Sequence, residues 1–274
     1  MQTITTNGAE IPALGFGTFR MDAREVAAVL PQALRRGFRH VDTAQIHCNE
    51  EAVGAAIAAS GVPRDEIFLT TKIWVDKVSP EDFLPSVHDS LRKLGTDHVD
   101  LLLLHWPDGS DIPREVQIGE LNDVRDAGLT RHIGISNYSA AQMREAAGLS
   151  GAPLVTNQVE YHPWLSQAPV LAAASDLGMA LTGYYAMADG RAPTDPVLAR
   201  IGTRHGKSAA QVALRWQIQH GIIVLSKTAR IERLAENLAI FDFTLSPEEM
   251  TEIHGLAAPN GRIVDPEGLA PAWD

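Results

Sequence analysis

The chain has little cysteine, little positive charge and no long apolar run, and each shortage excludes a class of protein. Cys48 is the only cysteine among 274 residues, so no disulfide can form within the chain. Lysine and arginine number 23 against 34 aspartates and glutamates, and the net charge of -11 disfavours nucleic acid and membranes as partners. The most apolar stretch, residues 99–106, is far too short to span a bilayer.

The composition is that of an ordinary globular protein, 45% hydrophobic and 21% charged. Residues 1–15 contain no charged segment followed by an apolar one, so we expect no signal peptide and a cytoplasmic protein. No linker rich in glycine, serine or proline divides the chain. Residues 1–274 are therefore predicted to form one domain, and we predict no metal site.

Short apolar runs alternate with longer amphipathic segments along the whole chain. Eight such runs are present, at residues 13–16, 40–43, 67–71, 99–104, 132–136, 154–157, 180–184 and 222–225. Runs of this length are typical of buried parallel strands, and the segments between them have helical periodicity. Eight strand–helix units in a chain of this length predict an α/β fold, a closed (β/α)₈ TIM barrel.

Three segments fall outside the eightfold count. Residues 3–11 precede the first barrel strand and are predicted to form a β-hairpin that closes the bottom of the barrel. Residues 195–205 and 246–256 are predicted to be two extra helices, because both begin with a typical N-terminal capping residue.

Chemistry in this barrel class lies at the carboxyl ends of the strands. The residues at these ends are Gly17-Thr18, Asp42-Thr43, Lys72, His105, Ser136-Asn137, Asn157-Gln158, Tyr184-Tyr185 and Ser226-Lys227. Asp42, Lys72 and His105 are titratable groups on three consecutive strands, which favours a catalytic cluster. The alternative is a structural ion pair between Asp42 and Lys72, with His105 hydrogen-bonded in the core. His47 either faces the same mouth or is a half-exposed loop histidine.

The glycines of the first strand do not form a dinucleotide-binding fingerprint. Gly15 and Gly17 supply only two glycines of the three that the G-x-G-x-x-G pattern requires. A tight strand-to-loop turn, which lets the backbone approach a ligand closely, explains them better.

Several short motifs resemble the aldo-keto reductase family, and together they cover nearly the whole chain. They are Gly15-Phe16-Gly17-Thr18-Phe19, Val41-Asp42-Thr43-Ala44, Thr71-Lys72-Ile73-Trp74, Leu104-His105-Trp106-Pro107, Gly134-Ile135-Ser136-Asn137, Asn157-Gln158-Val159-Glu160 and Leu225-Ser226-Lys227-Thr228. The C-terminal residues 261–274 resemble the bacterial 2,5-diketo-D-gluconate reductase B (methylglyoxal reductase) branch of the family.

The resemblance implies a catalytic group of aspartate, tyrosine, lysine and histidine. Asp42, Lys72 and His105 match three of these positions, whereas His47 occupies the position of the tyrosine that donates the proton. A histidine near a lysine cation has a lowered pKa and is a poor acid at pH 7. We therefore expect weak activity that rises as the pH falls towards about 5–6.

The resemblance also implies NADPH as cofactor and a small carbonyl compound as substrate, in a monomeric protein. Cofactor-binding residues are predicted to be Gly17, Thr18, Asp42, Ser136, Asn137, Gln158, Tyr184, Lys227, Thr228, Arg230, Arg233 and Asn237. Substrate-binding residues are predicted to be Phe19, Trp74, His105, Trp106 and Trp273. The alternatives are a solvated basic helix face for the cations after residue 226 and ordinary core packing for the aromatic residues.

Three functions remain open at this point. The leading hypothesis is an NADPH-dependent oxidoreductase that reduces small aldehydes or ketones, of the 2-oxoaldehyde or diketo-sugar-acid type. His47 suggests, as an alternative, a catalytically weak NADPH-binding sensor or regulatory barrel. A Schiff-base aldolase that uses Lys72 is the third possibility.

Overall fold

The computed structural model describes residues 2–274, and it begins with a two-stranded antiparallel hairpin of β1 (Thr3–Thr6) and β2 (Ala9–Pro12). Eight parallel strands then close into a barrel in chain order, with the last strand paired to the first. They are β3 (Leu14–Gly17), β4 (His40–Asp42), β5 (Phe68–Ile73), β6 (Val99–Leu104), β7 (Thr130–Ser136), β8 (Leu154–Glu160), β9 (Ala180–Tyr184) and β10 (Ile223–Ser226). The predicted barrel and its eight strands are confirmed.

Ten α-helices surround the strands in the part of the chain that the structure describes. They are α1 (Ala23–Arg35), α2 (Glu50–Ser60), α3 (Phe83–Leu94), α4 (Arg114–Asp126), α5 (Ala140–Leu149), α6 (Ala168–Asp176), α7 (Pro196–His205), α8 (Ala209–Gln219), α9 (Arg233–Leu238) and α10 (Pro247–His254). The predicted extra helices are α7 and α10, capped by Asp195 and Ser246, whose side chains accept hydrogen bonds from backbone N–H groups of the first turn. Within residues 2–274, no helix has the length and apolar content needed to cross a membrane.

The hairpin closes the lower end of the barrel, as predicted. Thr6 Oγ1 donates a hydrogen bond to the Val155 carbonyl at 2.8 Å, and Asn7 Nδ2 donates one to the Leu154 carbonyl at 2.7 Å. A separate apolar cluster packs inside this end; it consists of Ala9, Ile11, Leu101, Leu103, Val155, Ala180 and Ile223. The barrel interior is therefore filled with side chains at the bottom, which leaves the upper end for a ligand.

Alternation along the strands decides which side chains reach the barrel interior. In β5, the Thr71 hydroxyl donates to the Glu50 carboxylate of α2 at 2.6 Å, whereas Lys72 reaches Asp42 of β4. Successive side chains of a strand point to opposite faces, so the outward Thr71 places Lys72 inside the barrel. This alternation positions the lysine for the site described next.

Candidate active site

A cavity of about 750 Å³ opens at the carboxyl ends of the strands. Most of the side chains predicted from the sequence for catalysis and for substrate binding line this one cavity. The predicted residues on its wall are Gly17, Phe19, Asp42, His47, Lys72, Trp74, His105, Trp106, Asn137, Gln158, Tyr184 and Lys227. The structure thus brings together residues that lie at the ends of all eight barrel strands or in the loops directly after them.

Asp42 and Lys72 form a buried ion pair at the base of the cavity. Lys72 Nζ donates to Asp42 Oδ1 at 2.6 Å and to the Thr43 carbonyl at 2.7 Å. Gln158 Nε2 donates to the other oxygen of Asp42 at 2.8 Å. Burial lowers the pKa of Lys72, and the carboxylate of Asp42 opposes that shift. Both charges are therefore held in a fixed geometry, with hydrogen bonds on each side.

His47 lies on a short 3₁₀ turn between β4 and α2. Cys48, in the left-handed region with φ 54°, ends this turn. The half-buried ring of His47 has Nδ1 3.5 Å from Thr18 Oγ1, and its centroid lies 5.2 Å from that of Phe19. Burial, and then the Lys72 cation, lower the pKa of His47 to about 3. At neutral pH His47 is therefore an uncharged imidazole.

His105 faces His47 across the cavity, with 6.2 Å between the ring centroids. Its ring packs edge-on against Trp74 at 5.2 Å, and its backbone carbonyl accepts a hydrogen bond from Asn137 Nδ2 at 2.9 Å. Burial lowers the pKa of His105 well below its ordinary value. Its buried Nδ1 has no partner among the described residues. His105 is thus a neutral group that can hydrogen-bond a substrate oxygen through one nitrogen.

The residues predicted to hold a nicotinamide are divided between the cavity wall and the layer behind it. The Tyr184 hydroxyl donates to Asn137 Oδ1 at 2.7 Å, and both residues line the cavity. Ser136 and Thr18 lie behind the wall, where their hydroxyls donate to the carbonyls of Gln158 and Asp42. Each of these two hydroxyls therefore links one barrel strand, or the residue after it, to the neighbouring strand.

The cations after β10 lie at the edge of the site. Lys227 is exposed and lines the cavity, whereas Arg230 and Arg233 are exposed beside it in the chain and do not line it. Thr228 Oγ1 accepts a hydrogen bond from the Arg230 N–H, and Asn237 Nδ2 donates to Ser226 Oγ at 3.4 Å. The ion pairs formed by residues 2–274 include none of the three cations.

An ion pair across the cavity mouth was not predicted from the sequence. Arg20 follows β3 and Asp189 follows β9, and their side chains lie 3.8 Å apart. The Arg20 guanidinium also lies over the rings of Phe19 and Tyr185, at 5.2 and 5.9 Å. Arg20, Tyr185 and Asp189 all have φ between 52° and 57°, an unusual conformation for residues other than glycine. The loops after β3 and β9 therefore meet over one side of the cavity.

A segment at the C-terminus forms another part of the wall, although Trp273 is its only residue that the sequence predicts to bind substrate. Its lining residues are Ile263, Val264, Asp265, Pro266 and Leu269. The backbone N–H groups of residues 263 and 264 each donate to one oxygen of the fully buried Glu160 carboxylate, at 2.8 Å. A carboxylate at the end of a buried strand is the signal that could have indicated this attachment.

Trp273, predicted to bind substrate, lies behind the cavity wall. Its ring centroid is 6.5 Å from that of Trp106, which does line the cavity. Trp273 Nε1 donates to Asp265 Oδ1 at 2.8 Å, and the Arg262 guanidinium lies 3.6 Å from the centroid of the indole. The structure thus places Trp273 next to the predicted pocket as a support for the residues that face it.

A parallel barrel with a buried Asp–Lys pair and a histidine at its mouth is typical of one class of enzyme. Comparison with known proteins identifies that class. The model of the Aldo/keto reductase family matches residues 13–258, so the chain belongs to this family. It is similar to the methylglyoxal reductase DkgB of Salmonella typhi, with 45% identity over 266 residues, 96% of this chain and 99% of the relative. It is 37% identical to the glyoxal reductase of Bacillus subtilis over 251 residues, 91% of this chain and 90% of the relative.

Two solved structures extend these similarities to the fold. A crystal structure provisionally named as a 2,5-diketo-D-gluconic acid reductase B has 64% identity and a TM-score of 0.99, with 100% of this chain and 98% of that chain covered. The aldose reductase of Schistosoma japonicum has 30% identity and a TM-score of 0.90, with 95% and 94% covered. The chain is therefore an oxidoreductase that reduces carbonyl compounds, which does not favour the Schiff-base aldolase hypothesis.

Proposed function

We propose that the chain uses NADPH to reduce small aldehydes or ketones of the 2-oxoaldehyde or diketo-sugar-acid type to alcohols. The observation that carries this proposal is the arrangement of Asp42, Lys72, His47 and His105 on one cavity that also reaches Lys227. The relatives named as methylglyoxal, glyoxal and 2,5-diketo-D-gluconic acid reductases support the same classes of substrate.

The cavity has features that fit a dinucleotide phosphate. Its wall combines a tyrosine ring with the side-chain amides of Asn137 and Gln158, which suit a flat ring bearing a carboxamide. Lys227, at its edge, is an exposed cation on an acidic chain, and no carboxylate of the described residues pairs with it. We infer that Lys227, Thr228, Arg230 and Arg233 hold the phosphate that distinguishes NADPH from NADH. When bound, the cofactor supplies the hydride.

The chain's own residues orient the carbonyl and manage the proton. His105 donates a hydrogen bond to the carbonyl oxygen, and Trp74 fixes its ring. Lys72, held by Asp42, supplies a positive charge for the oxygen, on which negative charge develops during reduction. Because His47 is neutral, Lys72, whose pKa is lowered by burial, is the remaining cationic acid of the cluster. The site therefore lacks a strong proton donor, and we propose that turnover is slow.

The test is NADPH oxidation with methylglyoxal and a panel of small aldehydes, comparing the wild type with His47→Tyr and Lys72→Met. Slow wild-type turnover, faster turnover in His47→Tyr and none in Lys72→Met are expected. Wild-type turnover that Lys72→Met leaves intact would remove the cluster from the reaction.

The neutral imidazole at position 47 favours a second candidate, a barrel that binds NADPH as a sensor with little catalysis. NADPH titration separates the two. Binding without turnover on any carbonyl of the panel, in both the wild type and His47→Tyr, would support the sensor and overturn the reductase.

A further inference from the structure

The C-terminal segment brings one charged side chain to the cavity wall. Of its lining residues, Ile263, Val264, Pro266 and Leu269 are apolar, and Asp265 is the exception. The remaining wall near this segment includes the rings of Trp74 and Trp106. A substrate in this part of the cavity therefore contacts an apolar surface that carries a single carboxylate.

Contacts on both sides of Asp265 hold it at the wall. The two preceding N–H groups donate to the buried carboxylate of Glu160, and Asp265 Oδ1 itself accepts a hydrogen bond from Trp273 Nε1. Gly261 packs against the chain so closely that a Cβ there would lie 1.7 Å from the Trp164 carbonyl oxygen. The segment is thus attached before and at the position of the charge, which holds the charge at the cavity wall.

The charged side chains that line the cavity are not all paired. The carboxylates that line the cavity are those of Asp42, Asp189 and Asp265, and the lining lysine and arginine residues are Arg20, Lys72 and Lys227. Lys72 pairs with the first of these carboxylates and Arg20 with the second. Among the described residues this leaves Asp265 and Lys227 outside any ion pair, and Lys227 is the cation assigned above to the cofactor phosphate.

Arg262 only partly compensates Asp265. Its guanidinium stacks on the Trp273 ring at 3.6 Å, and one of its buried nitrogens has no partner among residues 2–274. Burial lowers the pKa of Arg262, while the carboxylates of Glu160, Asp265 and Asp274 raise it. Three carboxylates thus lie within electrostatic range of this one cation, which does not itself line the cavity.

We propose that Asp265 determines substrate specificity by favouring uncharged carbonyl compounds over those that carry a carboxylate. This proposal rests on the proposed reductase function. Of the two substrate classes named there, it favours the uncharged 2-oxoaldehydes over the anionic keto sugar acids. A substrate carboxylate on this wall meets a like charge, and among the lysine and arginine residues that line the cavity only Lys227, at the cofactor end, is outside an ion pair. Specificity of this kind arises from repulsion of the wrong ligand and weakens as salt screens the charge.

Benzaldehyde and 4-carboxybenzaldehyde test the proposal, because they share ring and aldehyde and differ in one ionised carboxylate. The wild type is expected to have the higher kcat/KM for benzaldehyde. Asp265→Asn removes the charge and keeps an oxygen that accepts from Trp273. At low ionic strength it should raise the ratio of kcat/KM for 4-carboxybenzaldehyde to that for benzaldehyde by about threefold to tenfold, and added salt should shrink this gain.

Glu267→Gln is the matched control, since Glu267 is exposed like Asp265 and lies in the same segment but does not line the cavity. An unchanged ratio in Asp265→Asn, or an equal change in Glu267→Gln, overturns the proposal. Dissociation constants for both aldehydes, measured by quenching of tryptophan fluorescence, repeat the comparison without turnover. A shifted binding ratio in a protein that reduces neither aldehyde would overturn the reductase function and uphold charge selection by Asp265.

Discussion

Lys72 Nζ lies 2.6 Å from Asp42 Oδ1 while both side chains are almost completely buried, at 2% and 4% exposure. Taking two charges out of water is costly, and their attraction offsets that cost only with good geometry and further hydrogen bonds. The Thr43 carbonyl and the Gln158 amide supply those bonds here. Burial of the pair therefore costs folding free energy, and its charges can act on a substrate bound in the cavity.

Lys72→Met should abolish turnover while NADPH binding, measured by fluorescence titration, changes little. The substitution leaves Asp42 buried without its cation, so the free energy of unfolding should fall by about 3–5 kcal/mol. The double variant Asp42→Asn/Lys72→Met removes both charges and should recover most of that stability without recovering turnover. Recovery of turnover in the double variant would mean that the pair is structural only.

His47→Tyr should raise kcat for small aldehydes by at least about tenfold, because a phenol restores a positioned acid. The structure also changes the expected pH profile of the wild type. With a pKa of about 3, His47 stays neutral from pH 8 to pH 5, so the rise expected from the sequence at pH 5–6 moves to lower pH. Rates across pH 5–8 check both points, and equal kcat for the two forms would show that position 47 does not supply the proton.

Arg233→Ala should weaken NADPH binding by roughly 10- to 100-fold and leave NADH binding nearly unchanged, because a charge-assisted phosphate contact contributes about 1.5–3 kcal/mol. Added salt should reduce the preference for NADPH in the wild type. Arg24→Ala, an exposed arginine on α1, is the control for loss of one positive charge. If the ratio of the two dissociation constants is the same in wild type and Arg233→Ala, the phosphate site lies elsewhere.

Glu160→Gln should raise KM for the carbonyl substrate several-fold and change the NADPH dissociation constant less than about twofold. The amide keeps one acceptor oxygen, but its NH₂ group faces an N–H that previously donated to a carboxylate, and a buried donor without an acceptor costs about 1–3 kcal/mol. The segment carrying Ile263 and Val264 should therefore loosen. Limited proteolysis near the C-terminus provides an independent readout, and unchanged KM and cleavage would exclude this attachment as a determinant of the substrate wall.

The free energy of unfolding should fall as the pH drops from 6.5 to 4, in part because of His40. Burial lowers the pKa of this histidine to about 4, so in this window the unfolded chain binds a proton that the folded chain excludes. The difference of about 2.5 pKa units corresponds to a loss on the order of 3 kcal/mol. His40→Gln can keep a hydrogen bond to Thr70 Oγ1 and should flatten the pH dependence measured by chemical denaturation. An equally steep dependence in the variant would assign the effect to other groups.

The barrel could be predicted from the sequence because its signal is local. Each strand is a short apolar run, and the residue that ends it faces the mouth whichever helices follow, so the sequence alone predicts that Asp42, Lys72 and His105 lie at the mouth. Asp265 and the Arg20–Asp189 pair could not be found in this way. Their segments have no periodicity, and their positions depend on partners more than 100 residues away, such as Glu160 for Ile263.

The hairpin at the bottom of the barrel can pack in place only late in the synthesis of the chain. Thr6 contacts Val155 and Gly178, which lie 149 and 172 residues further along the chain. During synthesis from the ribosome, β1 and β2 are made first but have no surface to seal until β8 and β9 have emerged. Contacts of such long sequence separation form slowly, so the lower opening of the nascent barrel stays uncapped for most of translation. Ile11, buried in that opening in the finished protein, therefore lacks its apolar neighbours Val155, Ala180 and Ile223 until their strands have emerged.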